Sequence, residues 1–526
     1  MQQTWLHASC CAITNNMSKN IASKAVSGLK WGSASTVANA VMQIGYTSAM
    51  ARLLTPEAFG LVAISSVILR FGAYFANMGL TKAVIQKEQL EPQHIRAAFT
   101  ASLLLGLLFT GITWLLAPVA ANFFNNPEVT PIVQVMALAF FINGTSATAL
   151  ALLERDMRFK ALSVIETLSY VVSYLGVGIV LAYFGFGVWS LIYATLTQAV
   201  LMGIGAYALA RHNVVLQPHW APYKPLFSYG SRMSFISFLE FLSQEFGTIL
   251  IGRVLGSHKL GLYNRAYMLV NLPMYMLTRT FTKVIFPSFS KIQNDIKRLG
   301  NMYLSSITLL AAIVLPVCLG MSAAAPELVR ILLGEQWGGS VPVLQVLCVA
   351  VALSFITMFA GIVCDALAVL NAKIILNIVF ICIIGALFYQ LREFGLVGFA
   401  FAMLIGELVR MVMYQRVMHK VLKLPYRQQL SIYLPGLTNG VLVAAGIYLV
   451  STLLRNAEAP VMVTFAAQIA TGGILLLVLT LLFPHRLLRT ELQMLLGKLG
   501  FNGEGTSTSS RLIQKYKLHI LKEAQP

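Results

Sequence analysis

Arg52–Gln86 reads RLLTPEAFGLVAISSVILRFGAYFANMGLTKAVIQ. A charged lip and a turn signal precede an apolar run long enough for a membrane helix, which needs about 20 residues, and a basic exit follows. The pattern returns 201 positions later: Arg52 pairs with Arg253, Leu54 with Leu255, Gly60-Leu61 with Gly261-Leu262, Tyr74 with Tyr275, and Thr81-Lys82 with Thr282-Lys283. Gln43 with Gln244 and Thr47 with Thr248 extend the register upstream. A constant offset near half the core length, with matches at helix ends, is the mark of an internal duplication.

The rest of the chain has the same character. It holds 526 residues, 57% of them hydrophobic and 11% charged, with a mean hydropathy of +0.75. That is too apolar for a soluble multidomain protein, and no gap between apolar segments is long enough for a soluble domain. The reading is an all-α polytopic membrane protein of about 14 transmembrane helices, near 30–51, 57–80, 96–118, 129–152, 162–183, 187–209, 226–252, 260–286, 300–322, 339–363, 369–390, 395–417, 430–454 and 460–483. Residues 1–29 form a cytoplasmic N-terminus, 30–209 and 226–417 two six-helix lobes joined by a linker at 210–225, 430–483 two further helices, and 484–526 a tail.

The net charge of +19 would suggest nucleic acid in a soluble protein. Here the basic residues fall in short loops, where they report topology. With the N-terminus inside, only Arg52, Arg253, Lys259, Arg265, Arg330, Arg392 and Arg455 of the 38 Lys and Arg fall outside, and Arg70, Arg232 and Arg279 lie at membrane depth. An even helix count then puts both termini in the cytoplasm. Turn chemistry agrees: Thr55-Pro56-Glu57 supplies an N-cap, a first-turn proline and a first-turn acid, and Asn125-Asn126-Pro127-Glu128 repeats the device. Phe184-Gly185-Phe186-Gly187 reads as a tight turn. After Pro484 the pattern predicts an interfacial amphipathic helix over 486–500, a polar linker over 502–510 and a short basic end resting on the inner leaflet. Residues 1–16 lack the charge and apolar run of a secretory signal, and Met17-Ser18-Lys19 reads as a natural start.

Several chemistries have no support. There is no GxxxxGK[ST] phosphate loop, so the chain carries no nucleotidase of its own. The eight His form no HxxxH or HExxH pair, and the six Cys have neither metal-ligand spacing nor an obvious disulfide partner. The outward acids Glu57, Glu128, Glu327, Glu335, Glu393 and Glu458 are scattered over short loops, whereas a membrane glycosyltransferase needs paired carboxylates on a long one. No cofactor, metal or catalytic residue is predicted.

Ionisable groups at membrane depth are costly and usually face a water-filled cavity or one another. Arg70 lies well inside helix 2, Glu240 and Glu245 lie within helix 7 with Arg232 nearer its inner end, Arg265 and Arg279 flank helix 8, and Glu407 stands three before Arg410 on helix 12. Arg70, Arg232, Arg265 and Arg279 are candidate cations for an anionic substrate, with interface anchoring the competing role for each. Glu240, Glu245 and Glu407 are candidate coupling-ion carboxylates. Glu240 and Glu245 stand about 140° apart around a helix, so one of them at most faces a cavity squarely. Glu407 and Arg410 share a face and can neutralise each other.

LLTPEAFGLVAI (53–64), MGLTKAVIQ (78–86), GLYNRAYMLVNLP (261–273) and VIFPSFSKIQND (284–295) resemble the Wzx-type polysaccharide flippases, specifically the colanic-acid and teichuronic-acid exporter branch of the multidrug/oligosaccharidyl-lipid/polysaccharide exporter superfamily. The resemblance runs from about Ser18 to Pro484. It implies a flippase of the bacterial inner membrane that moves a polyprenyl-diphosphate-linked oligosaccharide to the outer leaflet. It also implies two six-helix lobes around a cationic cavity, with membrane lipids, a polysaccharide polymerase and export machinery as further partners and no nucleic acid. One departure stands out: Asn77 lies two residues before Gly79 where the family pattern often has an acid, so a proton-carrying role there has no support. Two other functions compete. A multidrug or cation antiporter of the same superfamily calls for acidic, aromatic cavity walls, whereas these membrane-depth charges lean basic. A polymerase or glycosyltransferase calls for the long outer loops that are missing.

Overall fold

The computed structural model describes residues 38–77, 81, 84, 85, 90–216, 224–367, 369–482, 484, 488 and 489. The predicted N-terminus at 1–29, nearly all of the tail, Lys82 and Gly79 lie outside the described residues, as do the side chains of Asn77, Arg232, Glu240, Arg279 and Lys283. Every described element is helical. Among the described residues ten stretches are long and apolar enough to cross a membrane, one of which, Asn371–Leu422, takes in two consecutive helices. The chain is a multi-pass membrane protein.

Contacts divide it into two compact units, Met1–Gly261 and Leu262–Pro526. The first unit opens with α1 (residues 38–53). It continues through α2 (Pro56–Asn77), α3 (Pro92–Phe124) and α4 (Val129–Arg155). Next come α5 (Phe159–Tyr170, prolonged by the π-helical turns Val171–Gly178 and by Ile179–Tyr183) and α6 (Val188–Ala210). The segment α7 (Lys224–Lys291) consists of two helices that meet at a kink at Gly256, whose φ of 80° and ψ of 176° are non-helical. Two helices, near 226–252 and 260–286, were expected here, and two are found; the break between them is made by a single glycine because only glycine takes that φ without strain.

The starts follow local chemistry. Pro56 occupies the first helical position of α2 with Glu57 in its first turn, and Glu91 and His94 form a capping box at the head of α3. Asn125, at φ 52°, ends α3 in the left-handed conformation, and Gly185 and Gly187 turn α5 into α6 at positive φ. Within this unit α4 packs on α3 and α6, and α2 lies against α4. The α3/α4 seam is made close by small residues: a Cβ on Gly106 would strike the Phe140 carbonyl, one on Gly144 the Ser102 carbonyl. Thr110 donates to the Ala137 carbonyl at 3.1 Å across the same seam. Membrane helices associate by such backbone approach because lipid offers no hydrophobic drive.

The second unit holds the rest of α7 and then α8 (Ile296–Ala323), α9 (Ala325–Leu332), α10 (Val341–Ala366), α11 (Leu370–Leu391), α12 (Gly395–Leu422), α13 (Tyr426–Ser431), α14 (Leu434–Asn456) and α15 (Val461–Leu481). Helix α8 packs along α14, α10 lies on α8 and α12, and α15 on α14. The short helices α9 and α13 stand where only connections were expected, each too short for a hydrophobic period to be read.

Candidate functional site

Arg70 stands 14 residues past Pro56 on α2, about 21 Å along the axis at 1.5 Å per residue. Its Nη1 lies 2.5 Å from Oε1 of Glu245 on α7, with the Arg70 side chain 55% exposed and that of Glu245 12%. The structure thus joins a candidate substrate cation to a candidate coupling carboxylate. Edge-on contact between Phe71 and Phe241, one helical turn from Glu245, with ring centroids 6.4 Å apart, sets the two helices. Gly72 has the Phe140 ring against it, so α2 is held from the α4 side as well. Glu245 is the one partner of Arg70 among the described residues, and it engages one corner of a planar fork with five donors. A half-exposed ion pair is weakly held and exchangeable, unlike a buried one.

The two copies of the repeated motif meet at the start of α2. A Cβ on Gly60 would overlap the Ser257 carbonyl, and a Cβ on Gly261 would overlap the Pro56 carbonyl. Pro56 and Ser257 are 201 apart, as are Gly60 and Gly261, so the contact is reciprocal in the register of the duplication, the form that a two-fold relation produces. Ser257 Oγ also donates to Glu57 Oε1 at 3.1 Å and accepts from Asn126 Nδ2 at 3.4 Å. Arg253 lies over the Phe123 ring at 5.6 Å.

The remaining candidates fall differently. Arg265, in the second unit, donates to Asn264 Oδ1 at 3.0 Å. Glu407 is 4% exposed at mid-length in α12, 2.8 Å from Arg410 Nη2. That guanidinium donates to Ser354 on α10 at 2.7 Å and lies over the Phe380 ring of α11 at 4.7 Å. The pair braces three helices, and its burial makes it costly to break. Arg232, Glu240 and Arg279 have side chains outside the described residues.

Sequence reasoning gave no site role to two groups, Glu166, which it did not single out, and Glu327, which it counted only among the outward acids. Glu166 on α5 is exposed and makes no hydrogen bond or ion pair among the described residues; its signal was an acid four residues into the predicted helix 162–183. In the second unit, Glu327 on α9 accepts from Arg455 Nε at 2.6 Å and Nη2 at 2.8 Å, and from Gln468 Nε2 at 2.9 Å. Glu327 and Arg455 border a cleft of about 330 Å³ that also takes in Arg330, Glu458 and Thr464. Burial pushes the Glu327 carboxyl up, but the hydrogen bonds from Arg455 and Gln468 outweigh it and hold it below the usual range. Among the described residues no three His, Cys, Asp or Glu side chains gather to hold a metal.

Residues 49–342 match the family model described as polysaccharide biosynthesis protein. The lipopolysaccharide biosynthesis protein WzxC of Escherichia coli (strain K12) is 26% identical over 417 residues, 78% of this chain and 85% of that protein. The solved structure of the lipid II flippase MurJ in an inward closed conformation superposes with a TM-score of 0.69 at 13% identity, covering 86% of this chain and 98% of that one. An inward-facing multidrug resistance transporter of the MATE family superposes at 0.57 and 18% identity, covering 74% and 99%. The fold is shared by carriers with different cargo, so cargo has to be argued from the site.

Proposed function

We propose that this chain, which belongs to the polysaccharide biosynthesis protein family, is a flippase that carries a polyprenyl-diphosphate-linked oligosaccharide across the bacterial inner membrane, from the cytoplasmic to the outer leaflet. The observation that carries the reading is the Arg70–Glu245 pair: a half-exposed guanidinium at membrane depth, neutralised at rest by a carboxylate it can release. A diphosphate offers the fork two or more oxygens in place of one, so the substrate competes with Glu245 through stronger charge-assisted bonds. Without a fixed cation, each phosphate charge entering a low-dielectric passage would cost several kcal/mol. Glu245, once displaced, is a carboxylate free to take a proton or another cation, which makes it the first choice for coupling in a chain with no nucleotidase. Glu240 and Glu407 are the other choices, and Arg232, Arg265 and Arg279 are further cations along the path.

In this reading fourteen crossings form two six-helix lobes, 30–209 and 226–417, with two more helices at 430–483, and both termini in the cytoplasm. A polymerase and export machinery take the product away. The likeness to the lipopolysaccharide biosynthesis protein WzxC and to the lipid II flippase MurJ supports this reading, and a multidrug antiporter of the same fold is disfavoured by a cation at membrane depth where cationic drugs need acids.

The test is complementation of a flippase-null strain, with immunoblotting of membranes. Arg70→Ala abolishes polymer export at normal protein level, and Arg70→Lys retains part of it because the charge survives and the planar fork does not. Exchanging the two residues, Arg70→Glu with Glu245→Arg, restores the pair but not export. Wild-type export by Arg70→Ala moves the cationic site to Arg232, Arg265 or Arg279.

A further inference from the structure

On α1 and α5, both in the first unit, three tyrosines come together. The Tyr46 ring stands edge-on to Tyr174 at 4.9 Å and to Tyr170 at 6.4 Å, and Tyr170 and Tyr174 lie 4.7 Å apart at 33°. The Tyr174 hydroxyl reaches Thr195 Oγ1 on α6 at 3.5 Å. Helix α5 is π-wound over Val171–Gly178 at this point, and such widened turns recur where a helix serves a site rather than packing alone. Gly178 leaves room for the Tyr46 ring, which a Cβ there would press at 3.2 Å.

Polar groups line the same faces. Glu166 is one turn before Tyr170, and Gln43 one turn before Tyr46; both are exposed. A carboxylate or an amide is costly against lipid tails, so a water-filled passage is the surrounding that suits both. Helices α1 and α2 are joined by the two residues Leu54 and Thr55, so they run antiparallel. Counting 1.5 Å per residue from that turn, Tyr46 lies roughly 10 Å nearer it than Arg70 does.

We infer that this face is a saccharide subsite: the half-buried Tyr170 and Tyr174 rings, backed by the buried Tyr46, take the C–H faces of a pyranose, while Gln43 and Glu166 hydrogen-bond its hydroxyls. Apolar rings beside a few polar groups suit a sugar, whose ring has apolar faces and a polar rim. An unadorned lipid diphosphate uses none of them. The subsite rests on the flippase reading, because it places the sugars on the turn side of a diphosphate held at Arg70.

Purified full-length protein in nanodiscs is titrated with two probes: bare polyprenyl diphosphate, and the same lipid bearing the saccharide assembled by the host cell. Wild type binds the glycosylated lipid at least about tenfold more tightly than the bare one. Tyr170→Ala and Tyr174→Ala bring that ratio toward one, and so does Gln43→Ala, whose exposed side chain is not needed for folding. Tyr170→Phe, which keeps the ring, retains most of the ratio, and Arg70→Ala loses both lipids. A wild-type ratio in the tyrosine and Gln43 variants overturns the subsite. A wild-type ratio of one overturns it while leaving the flippase reading intact, and a wild-type protein that binds neither lipid removes both.

Discussion

Gly60→Ala adds one methyl group where the chain has no space for it. The new Cβ would overlap the Ser257 carbonyl oxygen, with the Ser257 carbonyl carbon and Cα also in its way. These are backbone atoms that cannot rotate aside, so α2 and the Ser257 segment must separate by a good fraction of a contact distance. Overpacking of this kind typically costs about 1–3 kcal/mol. The cost applies only to conformations in which the two segments touch, so it shifts a carrier toward states in which they part, by about tenfold for each 1.4 kcal/mol. Separation also lengthens the bonds of Ser257 to Glu57 and Asn126. Gly261→Ala meets the Pro56 carbonyl in the reciprocal way and has a matching effect, while the double variant costs less than the sum because one displacement relieves both clashes. The assay is labelling of a reporter cysteine, Ser257→Cys, by a membrane-impermeant maleimide added to intact cells whose native cysteines have been replaced. Ser257 is 6% exposed, so labelling is slow in the parent and rises several-fold in each alanine variant, while polymer export falls. Unchanged labelling and export in both variants would refute the close approach, and strongly unequal effects would refute its symmetry.

Glu407→Gln leaves the Arg410 guanidinium buried without its counter-charge and is expected to cost about 3–5 kcal/mol, read as reduced membrane yield and a lower melting temperature in detergent; a normal yield would mean that Ser354 and Phe380 suffice to hold Arg410. For Glu327, whose carboxyl is held below its unfolded value, the stabilisation is fully present above that unfolded value and disappears as the pH falls through the folded one. Melting of the purified protein therefore drops on acidification, and Glu327→Gln loses stability at neutral pH and flattens that acid limb; parallel curves for the two proteins would refute the assignment. Reporter fusions after Lys160, Lys297 and Lys420 read cytoplasmic, and fusions near Asn126, Gly338 and Glu458 read external; a reversed signal breaks the helix count at that point.

The sequence alone determined the class of molecule and most of its helices, because those depend on effects that act within a few residues. The length of an apolar run decides whether a helix can cross a bilayer, and Thr55-Pro56-Glu57 or Asn125 decides where one starts or stops wherever its neighbours lie. Membrane-depth charges were legible for the same reason, and Arg70, Glu245 and Glu407 stood out by residue type and position. What they do to one another was not legible. Glu245 is 175 residues from Arg70, and helical periodicity shows which face a residue occupies without showing which helix covers that face. The 201-residue repeat pointed to matching positions, yet Gly60 touches Ser257, four residues before its own counterpart Gly261. That offset, the brace that Arg410 makes with Ser354 and Phe380, and the meeting of Tyr46 with Tyr170 and Tyr174 were decided by tertiary structure, because the register of one helix on another is set by how closely their backbones can approach at small residues and by which side chains fill the remaining space.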